Sequence, residues 1–169
     1  MNKELEGKSA IVTGASSGIG QAIAELFAEN GAKVILSDIQ DELGEKVAEG
    51  IRNKGGEAQF FHADVSKHHD CLALVQKAVS TYGNLHIACN NAGIGGTLAP
   101  TAEQTIEDWE KVINVNLNSV FYCMKYQIPE MLKTGNASIV NVSSILGQVG
   151  FAGAPAYTAA KHALVGLGK

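Results

Sequence analysis

Short apolar runs alternate with longer amphipathic segments along this chain, and the alternation limits the possible folds more than any other feature. Residues 9–13 form an apolar run typical of a buried strand, and residues 18–30 repeat apolar side chains every three or four positions, as a helix does. Strands separated by helices pair in parallel through right-handed crossovers, which predicts an α/β fold with a doubly wound parallel sheet. The remaining predicted strands are 33–37, 58–62, 85–89 and 138–142, and the remaining helices are 41–54, 69–82, 106–132 and a last one from 156 onward.

Length and composition favour one folded domain. The chain has 169 residues, of which 46% are hydrophobic and 18% charged, far from the composition of a disordered protein. No repeat, low-complexity tract or linker interrupts the pattern. We therefore expect residues 1–169 to form a single domain.

Charge and hydropathy argue against several classes of partner. The formal net charge is −4 and the basic residues form no run, which disfavours nucleic acid and anionic membrane surfaces. No stretch approaches the roughly 18 apolar residues of a spanning helix, and residues 1–7 lack the apolar core of a secretion signal. The three cysteines, at 71, 89 and 123, are too widely spaced for a CxxC motif and are interpreted as buried apolar residues. We expect a cytoplasmic protein without a membrane partner or a metal.

A glycine-rich turn connects the first predicted strand to the first predicted helix, from Thr13 to Gly20. Phosphate groups can approach bare backbone where no Cβ intervenes, and the free N–H groups at a helix N-terminus favour an anion. Gly14 suits the tight turn, while Gly18 and Gly20 suit close approach at the start of the helix. In this strand–turn–helix context the motif predicts a nucleotide site.

Asp38 follows the second predicted strand. At that position an acid can accept both hydroxyl groups of an adenosine ribose and repel a 2′-phosphate, which favours NAD over NADP. No arginine follows Asp38 to bind a 2′-phosphate, and the nearest downstream cation is Lys46. The alternative interpretation is that Asp38 only caps a helix or closes a turn.

Tyr157 and Lys161 are four residues apart in the last predicted helix. Residues at this spacing share one helix face, so the phenol and the ammonium can meet in one pocket. A free tyrosine has a pKa of about 10, and a neighbouring cation favours its ionised form, which is useful in general acid–base catalysis. Taken alone, this spacing more often reflects a surface pair.

Read together, these motifs make the chain resemble the short-chain dehydrogenase/reductase family. Ser144 lies thirteen residues before Tyr157, which is the spacing usual in that family. Three further segments are similar to family motifs after the third strand, after the fourth strand and in the long helix, namely Asp64–Val65, Asn90–Asn91–Ala92–Gly93 and Asn114–Val115–Asn116–Leu117.

The resemblance implies a strand order of 3-2-1-4-5 and a role for each matched residue. Tyr157 is the implied general acid/base at the substrate oxygen, Ser144 binds that oxygen, and Lys161 holds the nicotinamide ribose and tunes Tyr157. Asn116 is implied to bind a water that links Lys161 to solvent; Asn114 and Ser143 are the less favoured neighbours of Asn116 and Ser144. Besides Tyr157 and Lys161, the residues implied to line the cofactor are Gly14, Ser17, Gly18, Ile19, Gly20, Asp38, Asp64, Val65, Asn91, Ala92 and Gly93.

The implied function is an oxidoreductase that transfers a hydride between NAD(H) and a small secondary alcohol or ketone. Family members continue for two further strands, so we expect this sequence to be a piece of a longer protein that lacks its C-terminal third. We also expect homodimers or homotetramers formed through the long helix and the last helix. Two alternatives stay open: a reductase of 3-oxoacyl groups on a carrier protein, which Asp38 disfavours, and a nucleotide-binding protein without turnover.

Overall fold

A computed structural model describes residues 3–169, and the elements follow the predicted alternation. Strands β1 to β5 are Ser9–Thr13, Lys33–Asp38, Glu57–His62, Ile87–Asn90 and Ser138–Asn141. Helices α1 to α6 are Gly18–Glu29, Asp41–Asn53, His68–Tyr82, Ile106–Ile113, Ser119–Leu132 and Pro155–Leu167. A π-helical turn, Asn114–Asn118, joins α4 to α5, and a short 3₁₀ turn, Ile145–Gly147, follows β5.

The five strands form one parallel sheet in the order β3-β2-β1-β4-β5, which confirms the predicted fold class and strand order. Helices cover both faces because adjacent residues of each buried strand point to opposite sides. Val12 and Leu36 pack with α1 and α2 on one face, whereas Ile11 and Ile35 pack with α3 and α5 on the other. The strand order reverses between β1 and β4, and open sheets of this kind bind ligands at that switch point.

The helix predicted over 106–132 spans those residues but contains a π turn that the sequence did not reveal. The π turn at Asn114–Asn118 separates α4 from α5, while Pro129 lies inside α5. The apolar residues Ile113, Leu117 and Phe121 are four positions apart, a spacing that fits an α-helical turn and a wider π turn alike. Within this turn the buried Asn116 side chain is bound to the backbone of Ile94.

The other predicted element bounds lie within two residues of the observed ones; β4, for example, begins at Ile87 and not at residue 85. The three cysteines are buried and free, as expected. Among the helices of residues 3–169, none is both long and apolar enough to cross a bilayer.

Candidate functional site

A crevice of about 650 Å³ opens at the carboxyl ends of the strands, around the switch point. Its lining includes every residue that was predicted to contact the cofactor apart from Tyr157 and Lys161. These residues are Gly14, Ser17, Gly18, Ile19, Gly20, Asp38, Asp64, Val65, Asn91, Ala92 and Gly93. Sequence reasoning did not select further lining residues, among them Ser37, Ile39, Ala63, Ile94, Lys111 and Val115.

The glycine-rich turn forms one wall of this crevice with backbone alone. Gly14 and Gly18 have φ values of +65° and +54°, a region that L side chains rarely adopt. A Cβ on Gly20 would overlap the carbonyl oxygen of Gly14. The N-cap residue of α1, Ser17, makes no side-chain cap hydrogen bond, and the first turn contains no acid. The turn and the N-terminus of α1 therefore suit a diphosphate group.

Thr13 holds the glycine-rich turn against the loop that follows β4, a role that sequence reasoning missed. Its Oγ1 accepts hydrogen bonds from the backbone N–H groups of Asn91 and Ala92 at 3.0 and 3.1 Å. The Asn91 amide in turn donates to the carbonyl groups of Thr13 and Gly14 at 3.0 and 3.2 Å. The only sequence signal was a hydroxyl residue at the end of a strand, directly before the turn.

Asp38 closes a turn at the wall of the crevice. Its Oδ1 accepts from the N–H groups of Ile39 and Gln40, at 2.8 and 3.2 Å, which forms a turn. Its Oδ2 accepts from the N–H of Ser16 at 3.1 Å, which fixes the carboxylate beside the glycine-rich turn. The N-cap of α2 is Gln40, so the helix-cap interpretation of Asp38 is wrong. Asp38 lines the crevice as a turn residue.

Asp64 lies on the far side of the crevice, after β3. Burial alone would raise the pKa of its carboxyl group, but hydrogen bonds from the Ser66 hydroxyl and N–H, together with the Lys67 ammonium at 3.3 Å, outweigh that effect and lower it. This carboxylate is therefore ionised and held in place at neutral pH.

Tyr157 and Lys161 are not a surface pair. The Lys161 side chain is buried, with 4% of the residue exposed, and its Nζ lies 5.5 Å from the centroid of the Tyr157 ring. Nζ donates a hydrogen bond to the backbone oxygen of Val142 at 2.8 Å. Burial lowers the pKa of Lys161 because desolvation disfavours the charged form.

Asn116 and Gly93 bring the ammonium of Lys161 next to the crevice. The Asn116 amide donates to the carbonyl of Ile94 at 2.7 Å and accepts from its N–H at 2.9 Å. A Cβ on Gly93 would lie 2.6 Å from Asn116 Oδ1 and 3.8 Å from Lys161 Nζ. A side chain at position 93 would therefore displace the Asn116 amide, whereas its distance from Lys161 Nζ would be an ordinary contact.

Two neighbouring serines follow β5 and face different partners. Ser144 is the N-cap of the 3₁₀ turn, and its Oγ accepts from the N–H of Leu146 at 3.2 Å. Ser143 Oγ donates to the backbone oxygen of Lys161 at 3.0 Å. The hydroxyl proton of Ser144 is not used in this cap, because Ser144 acts there as an acceptor. Within residues 3–169 no group of three or more His, Cys, Asp or Glu side chains is arranged to hold a metal.

Comparison with known proteins assigns the chain to a family. The profile of the family described as short chain dehydrogenase matches residues 8–169. A cyclohexanol dehydrogenase of Acinetobacter sp. (strain SE19) is 46% identical over 169 residues, which are 100% of this chain and 67% of that protein. A 2,5-dichloro-2,5-cyclohexadiene-1,4-diol dehydrogenase of Sphingobium indicum is 42% identical over 97% of this chain and 65% of that protein.

A solved structure matches the fold closely. It is a short chain dehydrogenase/reductase from Burkholderia phymatum in complex with NAD, with a TM-score of 0.94 and 34% identity over 97% of this chain and 58% of that chain. The present chain thus spans about two thirds of the length of these curated relatives, and less of the solved one.

Proposed function

Because the chain belongs to the short-chain dehydrogenase/reductase family, we propose that it is the cofactor-binding and catalytic part of an enzyme that transfers a hydride between NAD(H) and a secondary alcohol or ketone. One observation carries the proposal. The glycine-rich turn, which suits a diphosphate group, and the buried Lys161 beside Tyr157 adjoin the same crevice. The names of two relatives, a cyclohexanol dehydrogenase and a diol dehydrogenase, support an alcohol as substrate.

The proposed catalytic roles belong to four side chains, those of Asn116, Ser144, Tyr157 and Lys161. When bound, the dinucleotide supplies the carbon that accepts or returns the hydride. Tyr157 takes the hydroxyl proton of the alcohol during oxidation and returns it during reduction. Ser144 donates a hydrogen bond to the same substrate oxygen with the proton that its cap does not use.

Lys161 holds the nicotinamide ribose in this proposal. An ammonium has three donors, and the carbonyl of Val142 takes one of them, so two donors are left for ribose hydroxyls. Asn116 fixes the adjoining backbone through Ile94 and thereby supports a water-mediated path from Lys161 to solvent.

The proposed cofactor is NAD, with NADP disfavoured. Asp38 is anchored by three backbone N–H groups at the crevice wall, so its charge cannot swing away from a bound ribose. A 2′-phosphate beside this carboxylate would face like charge at short range. The NAD held by the Burkholderia protein supports a nicotinamide cofactor in general.

Self-association is also part of the proposal. Phe121 on α5 is 51% exposed and Val165 on α6 is 41% exposed, so both helices carry apolar surface that a second copy would cover. We propose a homodimer or homotetramer formed through the α4–α5 segment and α6. A single domain over residues 1–169 and a cytoplasmic location stay predictions of the sequence.

The proposal is tested by turnover and binding measured side by side. The purified full-length protein is assayed for NADH and NADPH formation on a panel of neutral secondary alcohols that includes cyclohexanol, and NADH binding is followed by fluorescence. We expect NAD-dependent oxidation of at least one alcohol and a smaller kcat/KM with NADP. Tight NADH binding without turnover across the panel would favour the non-catalytic alternative, and absence of binding would refute both.

A further inference from the structure

Ser143 connects the end of β5 to the middle of α6. Its Oγ donates a hydrogen bond to the backbone oxygen of Lys161 at 3.0 Å, across 18 positions of sequence. Lys161 is the residue whose ammonium adjoins the crevice wall at Gly93. A side chain that the sequence presented only as the neighbour of Ser144 therefore contacts the backbone of a proposed catalytic residue.

Val142, the residue before Ser143, binds the side-chain ammonium of Lys161. The carbonyl oxygen of Val142 accepts a hydrogen bond from Lys161 Nζ at 2.8 Å. Two consecutive residues at the strand exit thus bind the ammonium and the backbone carbonyl of the same lysine. The Ser143 contact fixes the backbone of Lys161. The Val142 contact fixes its ammonium, which is carried on a flexible four-carbon stem.

Gly147 provides the room for the Ser143 contact. It is buried, and a Cβ there would lie 2.5 Å from Ser143 Oγ and 2.8 Å from the backbone oxygen of Lys161. These separations are far shorter than ordinary van der Waals contact. Any larger residue at 147 would push apart the two atoms that the hydrogen bond joins.

We propose that Ser143 is a positioning residue, which sets the place of α6, and with it Tyr157 and Lys161, relative to Ser144 on the same strand exit. The inference rests on the proposed function. In this proposal Ser143 does not touch substrate or cofactor. It fixes the backbone from which Lys161 and Tyr157 project, and displacements of about 1 Å in such groups can cost about 100-fold in rate.

Ser143→Ala removes the hydroxyl and tests the proposal. The matched control is Ser80→Ala on α3. Ser80 Oγ also donates to a backbone carbonyl, that of Lys77 at 3.1 Å, but Ser80 does not line the crevice. For each variant the measurements are kcat across pH, and the dissociation constants of NADH and of ADP. ADP lacks the nicotinamide ribose that Lys161 is proposed to hold.

We expect Ser143→Ala to lower kcat by about tenfold or more, to shift the apparent pKa of the kcat profile, and to weaken NADH binding while ADP binding stays as in the wild type. In a Lys161→Met background the same substitution should weaken NADH binding little further, because its effect on the ribose contact acts through the Lys161 side chain. Ser80→Ala should change none of these quantities.

A folded Ser143→Ala variant with wild-type kcat and wild-type NADH affinity would overturn the inference. An equal loss of NADH and ADP binding would also overturn it, because it would indicate a general loosening of the fold. If Ser143→Ala does not fold, Gly147→Ala displaces the same carbonyl and is judged by the same comparison. A wild type that binds NADH without turnover refutes the proposed function, yet the NADH-against-ADP comparison still decides the role of Ser143. A wild type that does not bind NADH overturns both.

Discussion

Asn116 is bound to Ile94 through both polar atoms of its side-chain amide, with Oδ1 accepting from the N–H at 2.9 Å and Nδ2 donating to the carbonyl at 2.7 Å. The residue is fully buried and lies in the π turn between α4 and α5. This pair therefore ties the interruption of the long helix to the loop that follows β4, next to the crevice.

Replacing Asn116 should cost much stability. Asn116→Leu removes both hydrogen bonds and leaves the half-buried N–H and carbonyl of Ile94 without these partners, so we expect the free energy of unfolding to fall by about 2 kcal/mol. Asn114→Ala is the control, because Asn114 is exposed and its Oδ1 accepts a hydrogen bond from Asn118 Nδ2 within the same turn at 2.7 Å. Urea denaturation of both variants measures the difference, and equal losses would contradict the structural role of Asn116.

Two glycines in helices should respond to alanine in opposite ways. Gly20→Ala overlaps the Gly14 carbonyl oxygen and approaches Asn91 Nδ2 at 2.6 Å, so it should destabilise the fold by about 1–3 kcal/mol and weaken NADH binding. A Cβ on Gly50 in α2 would meet no atom within 4 Å, so Gly50→Ala should stabilise by up to about 1 kcal/mol. Thermal unfolding and NADH titration report both effects; a Gly20→Ala variant with normal binding would argue against the backbone cradle.

The sequence predicted the sheet and the crevice lining well because both follow from local patterns. Apolar alternation marks the strands, and chain order with crossover handedness then brings Gly14, Asp38, Asp64 and Asn91 to one edge of the sheet. The contacts that the sequence did not reveal join loops that are distant in the chain.

Thr13, Ser143 and the π turn illustrate this limit. Thr13 binds a loop 78 positions away, Ser143 binds a helix 18 positions away, and Asn116 in the π turn binds a residue 22 positions earlier. No periodic pattern in the sequence marks these partners. A single hydrogen bond requires only one suitable side chain and two backbone segments that approach each other correctly.

Acid should destabilise the fold through His86. Burial, together with the nearby charge of Lys8, lowers the pKa of His86, and its Nδ1 accepts a hydrogen bond from the N–H of Ser9 at 3.1 Å, which requires an unprotonated nitrogen. In the unfolded chain the imidazole regains a pKa of about 6.5. Below about pH 6.5 the unfolded state therefore binds more protons than the folded state. The free energy of unfolding is constant above this pH, and it falls as the pH decreases toward the lower pKa of His86 in the folded state.

His86→Asn tests this pH dependence. The asparagine Oδ1 can accept from Ser9 N–H but does not titrate, so the loss of stability between pH 7.5 and pH 5 should be smaller in the variant than in the wild type. Urea midpoints at both pH values give the comparison. Identical losses in the two proteins would show that His86 is not the group responsible.

Asp38 should control the choice of cofactor. Asp38→Asn removes the negative charge and should lower the ratio of kcat/KM for NAD to that for NADP by about tenfold, equivalent to about 1.4 kcal/mol. The ratio is the relevant quantity, because loss of the Ser16 contact would weaken both cofactors alike. Glu42→Gln, an exposed acid in the first turn of α2, is the control and should leave the ratio unchanged.

The most direct test of the proposed chemistry is the Tyr157→Phe variant, assayed for NADH binding and alcohol oxidation in the same preparation. Phenylalanine keeps the ring beside Lys161 Nζ but cannot carry a proton. We predict that NADH binding stays near the wild-type value while the oxidation rate falls by about 10²–10⁴-fold. A Tyr157→Phe protein that oxidises the alcohol at close to the wild-type rate would contradict the assignment of Tyr157 as the acid/base.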